Sequence, residues 1–136
     1  MRTGKPFKKL LTFNGDALNE LQVHNPITNE MIPVVINNEV KSEYGSGIDC
    51  VSPAHDLESL NVAYHYGLDK SGYVTEAGVF DDRLGKVYEG VSIFEEETNQ
   101  LVSKMIKDDG QLFCQYPYKN EFYINEKTSE KIILRS

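Results

Sequence analysis

The order of its apolar segments constrains this chain most. Short strand-like runs precede, separate and follow two helical stretches, with no regular β-α-β alternation. That order argues against a Rossmann or TIM design, in which each strand hands over to a helix. Leu10-Leu11-Thr12-Phe13 reads as a strand stopped by the turn pair Asn14-Gly15. Leu21-Gln22-Val23-His24 alternates apolar and polar residues and is closed by Asn25-Pro26. Ile32-Pro33-Val34-Val35-Ile36 is a continuous apolar run, and Pro33 puts it at a strand start or a sheet edge. Ile48-Asp49-Cys50-Val51, behind Gly45-Ser46-Gly47, reads as a glycine-flanked strand. Leu112–Tyr116 returns to strand, and Glu121–Ile124 with Lys131–Leu134 suggests a closing hairpin across 125–130. The fold class expected is mainly β: a small β-barrel with two peripheral helices. A generic α+β arrangement is the alternative.

The helices carry their own start and stop signals. Asp56 is the expected N-cap of the first, Glu58 lies in its first turn, and Gly67 is its stop. Leu57, Leu60 and Tyr64 share a face at spacings of three and four. The second opens on Glu95, Glu96 and Glu97 and carries the stripe Leu101, Val102, Met105 and Ile106. Lys104 and Lys107 lie near its end, and it stops at Gly110.

Composition bounds the function. A length of 136 residues with 40% hydrophobic and 26% charged residues fits one globular domain. No segment approaches the ~20 apolar residues of a membrane helix, so no membrane role is expected. A formal charge of −7 argues against a free-standing nucleic-acid binder. Cys50 and Cys114 exclude a disulfide-dense scaffold and fit a reducing compartment. Their expected state is buried in strands. At the amino terminus Arg2, Lys5, Lys8 and Lys9 precede Leu10, with no acid before Asp16. This resembles a targeting segment, but there is no apolar signal core and no small-residue cleavage site. Residues 1–7 are expected to be disordered or to derive from cloning.

The densest polar cluster is Ser46, Asp49, Cys50, Ser52, His55, Asp56, Glu58 and Ser59. A strand end and a helix start meet there, and free N–H groups at such a mouth attract anions or a developing oxyanion. The structural alternative is that Asp56 only caps the helix and His55 only satisfies a loop carbonyl. Gly45-Ser46-Gly47 lacks the length and lysine of a phosphate-binding loop. His24, His55 and His65 show no zinc-ligand spacing, so no metal is expected. Cys50 and His55 make a thiol–imidazole pair only if the corner at Pro53 brings them together. Tyr116, Tyr118, Phe122 and Tyr123 can stack bases, though such residues more often fill a barrel and its rim.

Tyr44-Gly45-Ser46-Gly47, Pro53-Ala54-His55-Asp56 and Tyr66-Gly67-Leu68 resemble the editing domain inserted in class I isoleucyl-, valyl- and leucyl-tRNA synthetases. Asn25-Pro26-Ile27-Thr28 with Ile32-Pro33-Val34, and Gly72–Gly78, extend the resemblance, as do Gly110-Gln111-Leu112 and Tyr116-Pro117. It covers roughly residues 8–136. Tyr66-Gly67-Leu68 and the closing Ile132-Ile133-Leu134-Arg135 favour the isoleucyl member. The resemblance implies one editing-type domain over 1–136, taken from a larger synthetase. It would receive the 3′ end of a mischarged tRNA and hydrolyse the wrong aminoacyl ester. Such editing exists because a pocket separates isoleucine from valine by only ~1–3 kcal/mol. The expected partners are that aminoacyl-tRNA end and the rest of the synthetase. No cofactor is expected in these residues, since ATP and magnesium belong to a synthetic core whose His-Ile-Gly-His and Lys-Met-Ser-Lys-Ser signatures are absent.

The resemblance points to Asp56 and His55 as candidate catalytic residues, and to Gly45, Ser46, Gly47, Ser52 and Ser59 as substrate-binding ones. Two departures bear on activity. Ser59 stands where the family has an aspartate that grips the α-ammonium group, and Cys50 stands where isoleucyl members have a histidine. A hydroxyl does not replace the charge-assisted hydrogen bond of a carboxylate, so hydrolysis is expected to be weak or absent. The family's Thr-rich strand has no counterpart here. Loss of editing is easiest to tolerate in a low-demand translation system, so the expected compartment is the mitochondrial matrix, with the cytoplasm as alternative.

Overall fold

The computed structural model describes residues 6, 8–41, 46–119 and 121–135. The backbone falls into two compact units, Met1–Asn25 with Asn29–Cys50, and Pro26–Thr28 with Val51–Ser136.

In the first unit, Asn14 and Gly15 open a 3-10 turn, Gly15–Leu18, in which the Ala17 N–H reaches the Asn14 carbonyl at 3.1 Å. Two strands follow. β1 (Gln22–His24) and β2 (Met31–Pro33) pair antiparallel, with Val23 opposite Ile32. Pro33 ends β2 opposite Gln22 in a sheet of two strands, a place where its missing N–H breaks no interior ladder. The Asn25 N–H donates to the Glu30 carbonyl at 2.8 Å and the Asn29 N–H to the Asn25 carbonyl at 2.9 Å. Asn29 takes the left-handed φ of +59°, which its short polar side chain tolerates.

In the second unit, α1 (Leu57–Tyr66) starts at Asp56 and ends at Gly67, whose φ of +65° lets the chain leave the helix by the left-handed route. Ala63 is its fully buried residue. A set of tight turns over 72–94 follows. Val74 bridges Phe80, and Val79 bridges Ser92. Tyr88 is buried beneath them, edge-on to Phe80 with ring centres 5.9 Å apart. α2 (Glu96–Asp108) begins after Glu95. Its buried Thr98 donates a hydroxyl hydrogen bond to the Ser92 carbonyl. Gly110, at φ +73°, turns the chain away. A last bridge joins Ile124 to Lys131. Its loop repeats the geometry of the β1–β2 connection: the Asn125 N–H donates to Glu130 at 2.9 Å, the Ser129 N–H to Asn125 at 2.8 Å, and Ser129 has φ +60°.

Both helices stand where the sequence places them; the strand expected at Ile32–Ile36 is instead Met31–Pro33, with 34–36 as coil, and the closing hairpin is the single bridge of Ile124 to Lys131. The closed barrel does not appear in the described residues of either unit. One two-stranded sheet and three isolated bridges are the β-pairing found there. The segments 10–13, 48–51 and 112–116 run as coil. Leu10, Leu11, Ile48 and Phe113 are among their exposed side chains. An apolar run has strand propensity, but only a hydrogen-bonded neighbour makes it a strand, and these runs have none in the ladders found. The α1 face also differs from expectation. Leu57 and Tyr64 are exposed while Ala63 is covered, because a small residue lets the helix backbone come close. Cys50 and Cys114 are exposed, free thiols rather than buried strand residues.

Candidate functional site

The start of α1 carries the most organised of the expected site residues. Asp56 sits in extended backbone (φ −142°, ψ 129°), and its carboxylate accepts the Ser59 N–H at 2.7 Å. It thereby satisfies one of the orphan donors of the first turn. Asp56 lies below the usual carboxylate range. Hydrogen bonding from the Ser59 side chain is the main cause, with the Ser59 and Glu58 backbone N–H groups adding to it and burial opposing. Asp56 and Ser59 therefore form one unit, in which the serine answers the aspartate.

His55 is fixed differently. Its N–H closes a turn onto the Ser52 carbonyl at 3.1 Å. Its ring Nδ1 lies 2.9 Å from the carbonyl of Leu134, 79 residues away. A carbonyl only accepts, so Nδ1 carries the proton. Nε2 is buried with no hydrogen-bond partner. Gly72 is close to it. A methyl group added at residue 72 would lie 2.6 Å from Ala54 Cβ and 3.0 Å from His55 Nε2. Gly72 is itself clamped, since Arg83 Nη2 donates to its carbonyl. Arg83 in turn donates from Nε to Asp81 Oδ2 at 2.9 Å, lies over the Tyr73 ring at 5.1 Å, and holds the Asp81 carboxyl below its ordinary range. Asp56 thus caps the helix and His55 meets a carbonyl.

His55 also forms part of the wall of a cavity of about 230 Å³, otherwise mostly apolar, with Val74, Ile93, Phe94, Phe122 and Ile133. Asp56 and Ser59 do not line it. Lys131 reaches over Phe94 and Phe122, its ammonium 5.3 and 5.1 Å from the ring centres.

The remaining candidates are distributed as follows. Ser52 is exposed in the same unit as Asp56 and Ser59. Ser46, Gly47 and Cys50 belong to the first unit. Ser46 Oγ accepts the Ile48 N–H at 3.3 Å, and the Cys50 N–H donates to Asp49 Oδ1 at 2.8 Å. Gly47 has φ +73°. Gly45 lies outside the described residues. Gly72, Arg83 and Leu134 were not singled out for the site from sequence. The Asp81-x-Arg83 spacing was a local signal for the clamp, whereas nothing local announces the tie to Leu134.

The comparisons agree with this arrangement of motifs. A family model described as leucyl-tRNA synthetase, editing domain, matches residues 13–111. The isoleucine–tRNA ligase of Methylacidiphilum infernorum is 30% identical over 129 residues, covering 93% of this chain and 14% of that protein. The valine–tRNA ligase of Mesoplasma florum is 30% identical over 84 residues, 62% of this chain and 10% of that protein. The mitochondrial isoleucine–tRNA ligase of Gallus gallus is 29% identical over 113 residues, 83% of this chain and 11% of that protein. The chain belongs to the editing-domain family of the class I aminoacyl-tRNA synthetases. It spans only 10–14% of the length of these relatives.

Proposed function

We propose that the chain is the editing domain of an isoleucine–tRNA ligase, with hydrolysis of mischarged aminoacyl-tRNA weak or lost. The isoleucyl choice is supported by coverage: 93% and 83% of this chain align with isoleucine enzymes, against 62% with the valine enzyme. In this reading residues 1–136 form one editing-type domain of a larger synthetase. Ser52 and Ser59 approach the tRNA 3′ end. No cofactor is needed for ester hydrolysis by water. The mitochondrial matrix is the proposed compartment, supported by similarity to the mitochondrial Gallus gallus enzyme, and imaging of the tagged parent protein checks it against the cytoplasm.

The observation that carries the reading of weak activity is the Asp56–Ser59 pair. The family's second acid is replaced by Ser59, and the remaining carboxylate already accepts the helix N–H at 2.7 Å. An α-ammonium group must compete with that cap for Asp56, so Asp56 grips it less firmly than a free carboxylate does. The test adds Val-tRNA(Ile) to the parent enzyme and follows deacylation. The expected rate is near the spontaneous one, and a rate well above it refutes the reading. Ser59→Asp with Cys50→His should then raise the rate.

The same engagement of Asp56 favours a second reading, a non-catalytic insert that positions the tRNA acceptor end. Deleting residues 8–136 from the parent would then impair aminoacylation itself, with no proofreading to lose.

A further inference from the structure

We propose that His55 is a positioning residue rather than a proton carrier: held between the Leu134 carbonyl and Gly72, it braces the corner that presents Asp56. The inference rests on the reading of Asp56 as the charged group of the site.

Three observations converge on this role. First, one ring nitrogen is engaged and the other is enclosed. Nδ1 must donate to Leu134 O at 2.9 Å, and Nε2 is buried with no partner. A general base needs its free lone pair within reach of a substrate proton or a water. This lone pair lies against the one residue in 71–73 that has no side chain. Second, the contact at Gly72 is tight. A methyl group there would meet Ala54 at 2.6 Å and Nε2 at 3.0 Å, closer than unbonded carbon atoms approach at their optimum. Third, Gly72 is not free to retreat. Arg83 holds its carbonyl, Asp81 holds Arg83 through Nε at 2.9 Å, and Tyr73 stacks beneath the guanidinium. The result is a chain of contacts, Asp81–Arg83–Gly72–His55–Leu134, in which His55 is the residue directly before Asp56.

The brace also accounts for a polar atom left unpaired beside an apolar cavity. A buried acceptor without a partner is unfavourable, and its retention is understandable where the other nitrogen makes a long-range tie.

The test uses the whole 136-residue chain and reads no hydrolysis, so a failure to detect editing leaves it intact. Nitrogen-15 NMR of the unmodified protein should show His55 protonated at Nδ1 and bare at Nε2. The opposite tautomer overturns the proposal. The second measurement is the titration midpoint of the Asp56 carboxyl. His55→Asn, whose amide nitrogen occupies the Nδ1 place, should keep it low. His55→Gln, which reaches the Nε2 place instead, and Gly72→Ala should move it upward toward the ordinary value of about 4. A loss of global stability alone does not shift a midpoint in the folded state. If His55→Gln and Gly72→Ala stay folded and leave the Asp56 midpoint where it was, His55 is not a brace for Asp56. If either fails to fold, the other decides, and a raised Asp56 midpoint in His55→Asn also overturns the proposal.

Discussion

The Asp56 carboxylate accepts the Ser59 N–H at 2.7 Å, so Ser59 is that carboxylate's own hydrogen-bond partner. Helix start and candidate site are one object, and changes to either residue should be read in both.

Asp56→Ala should destabilise the protein by about 1 kcal/mol, the usual cost of a lost N-cap. Asp56→Asn should cost only a few tenths, since asparagine caps nearly as well. Urea unfolding of the three proteins at neutral pH checks the ranking.

The acid limb carries a sign. Asp56 is held below its unfolded value. Its contribution is therefore present above the unfolded pKa and lost as pH falls through the lower, folded one. Below about pH 4 the advantage of the parent protein over Asp56→Asn should shrink. A gap that widens on acidification would contradict the direction of the shift.

Ser59→Ala removes the hydroxyl that contributes most to this lowering. The Asp56 midpoint should rise, while the cap survives through the backbone N–H. Carboxyl carbon-13 titration reads the shift, and near-unchanged unfolding in urea shows the cap intact.

Gly78 combines φ +73° with a methyl position 2.7 Å from Phe94 Cε2. Gly67 has φ +65° but open space around it. Gly67→Ala should cost about 1 kcal/mol for the left-handed backbone alone. Gly78→Ala should cost more, because overpacking adds about 1–3 kcal/mol. Equal costs from denaturant midpoints would refute the crowding at Phe94.

Tyr88 is 2% exposed, and its hydroxyl has no hydrogen-bond partner. Burial pushes its pKa up. Tyr88→Phe removes an unsatisfied group and keeps the ring against Phe80, so it should be neutral or stabilising. Tyr88→Ala should cost about 3–5 kcal/mol. Thermal unfolding separates the two.

What the sequence made legible was local. Asp56 and Gly67 bracket α1 because cap and stop signals act within one turn, and the apolar stripe with Gly110 does the same for α2. Asn25 and Asn125 each start a loop that ends five residues later at a glutamate. Turn chemistry of this kind needs no distant partner. The rest depended on partners. Leu10 and Phe113 have strand character, but no ladder claims them. Nothing in Pro53-Ala54-His55-Asp56 says that the imidazole will be met by a carbonyl 79 residues on. The resemblance named Asp56 and His55 as candidates; the folded chain shows how both are occupied.

Position 72 has a historical consequence. Any side chain gained there collides with Ala54 and His55 at once, and Ala54 has no smaller replacement but glycine. Among descendants of this chain the three sites should therefore drift together or not at all. A lineage that enlarged residue 72 would have had to shift Ala54, the nearer contact at 2.6 Å, before anything else.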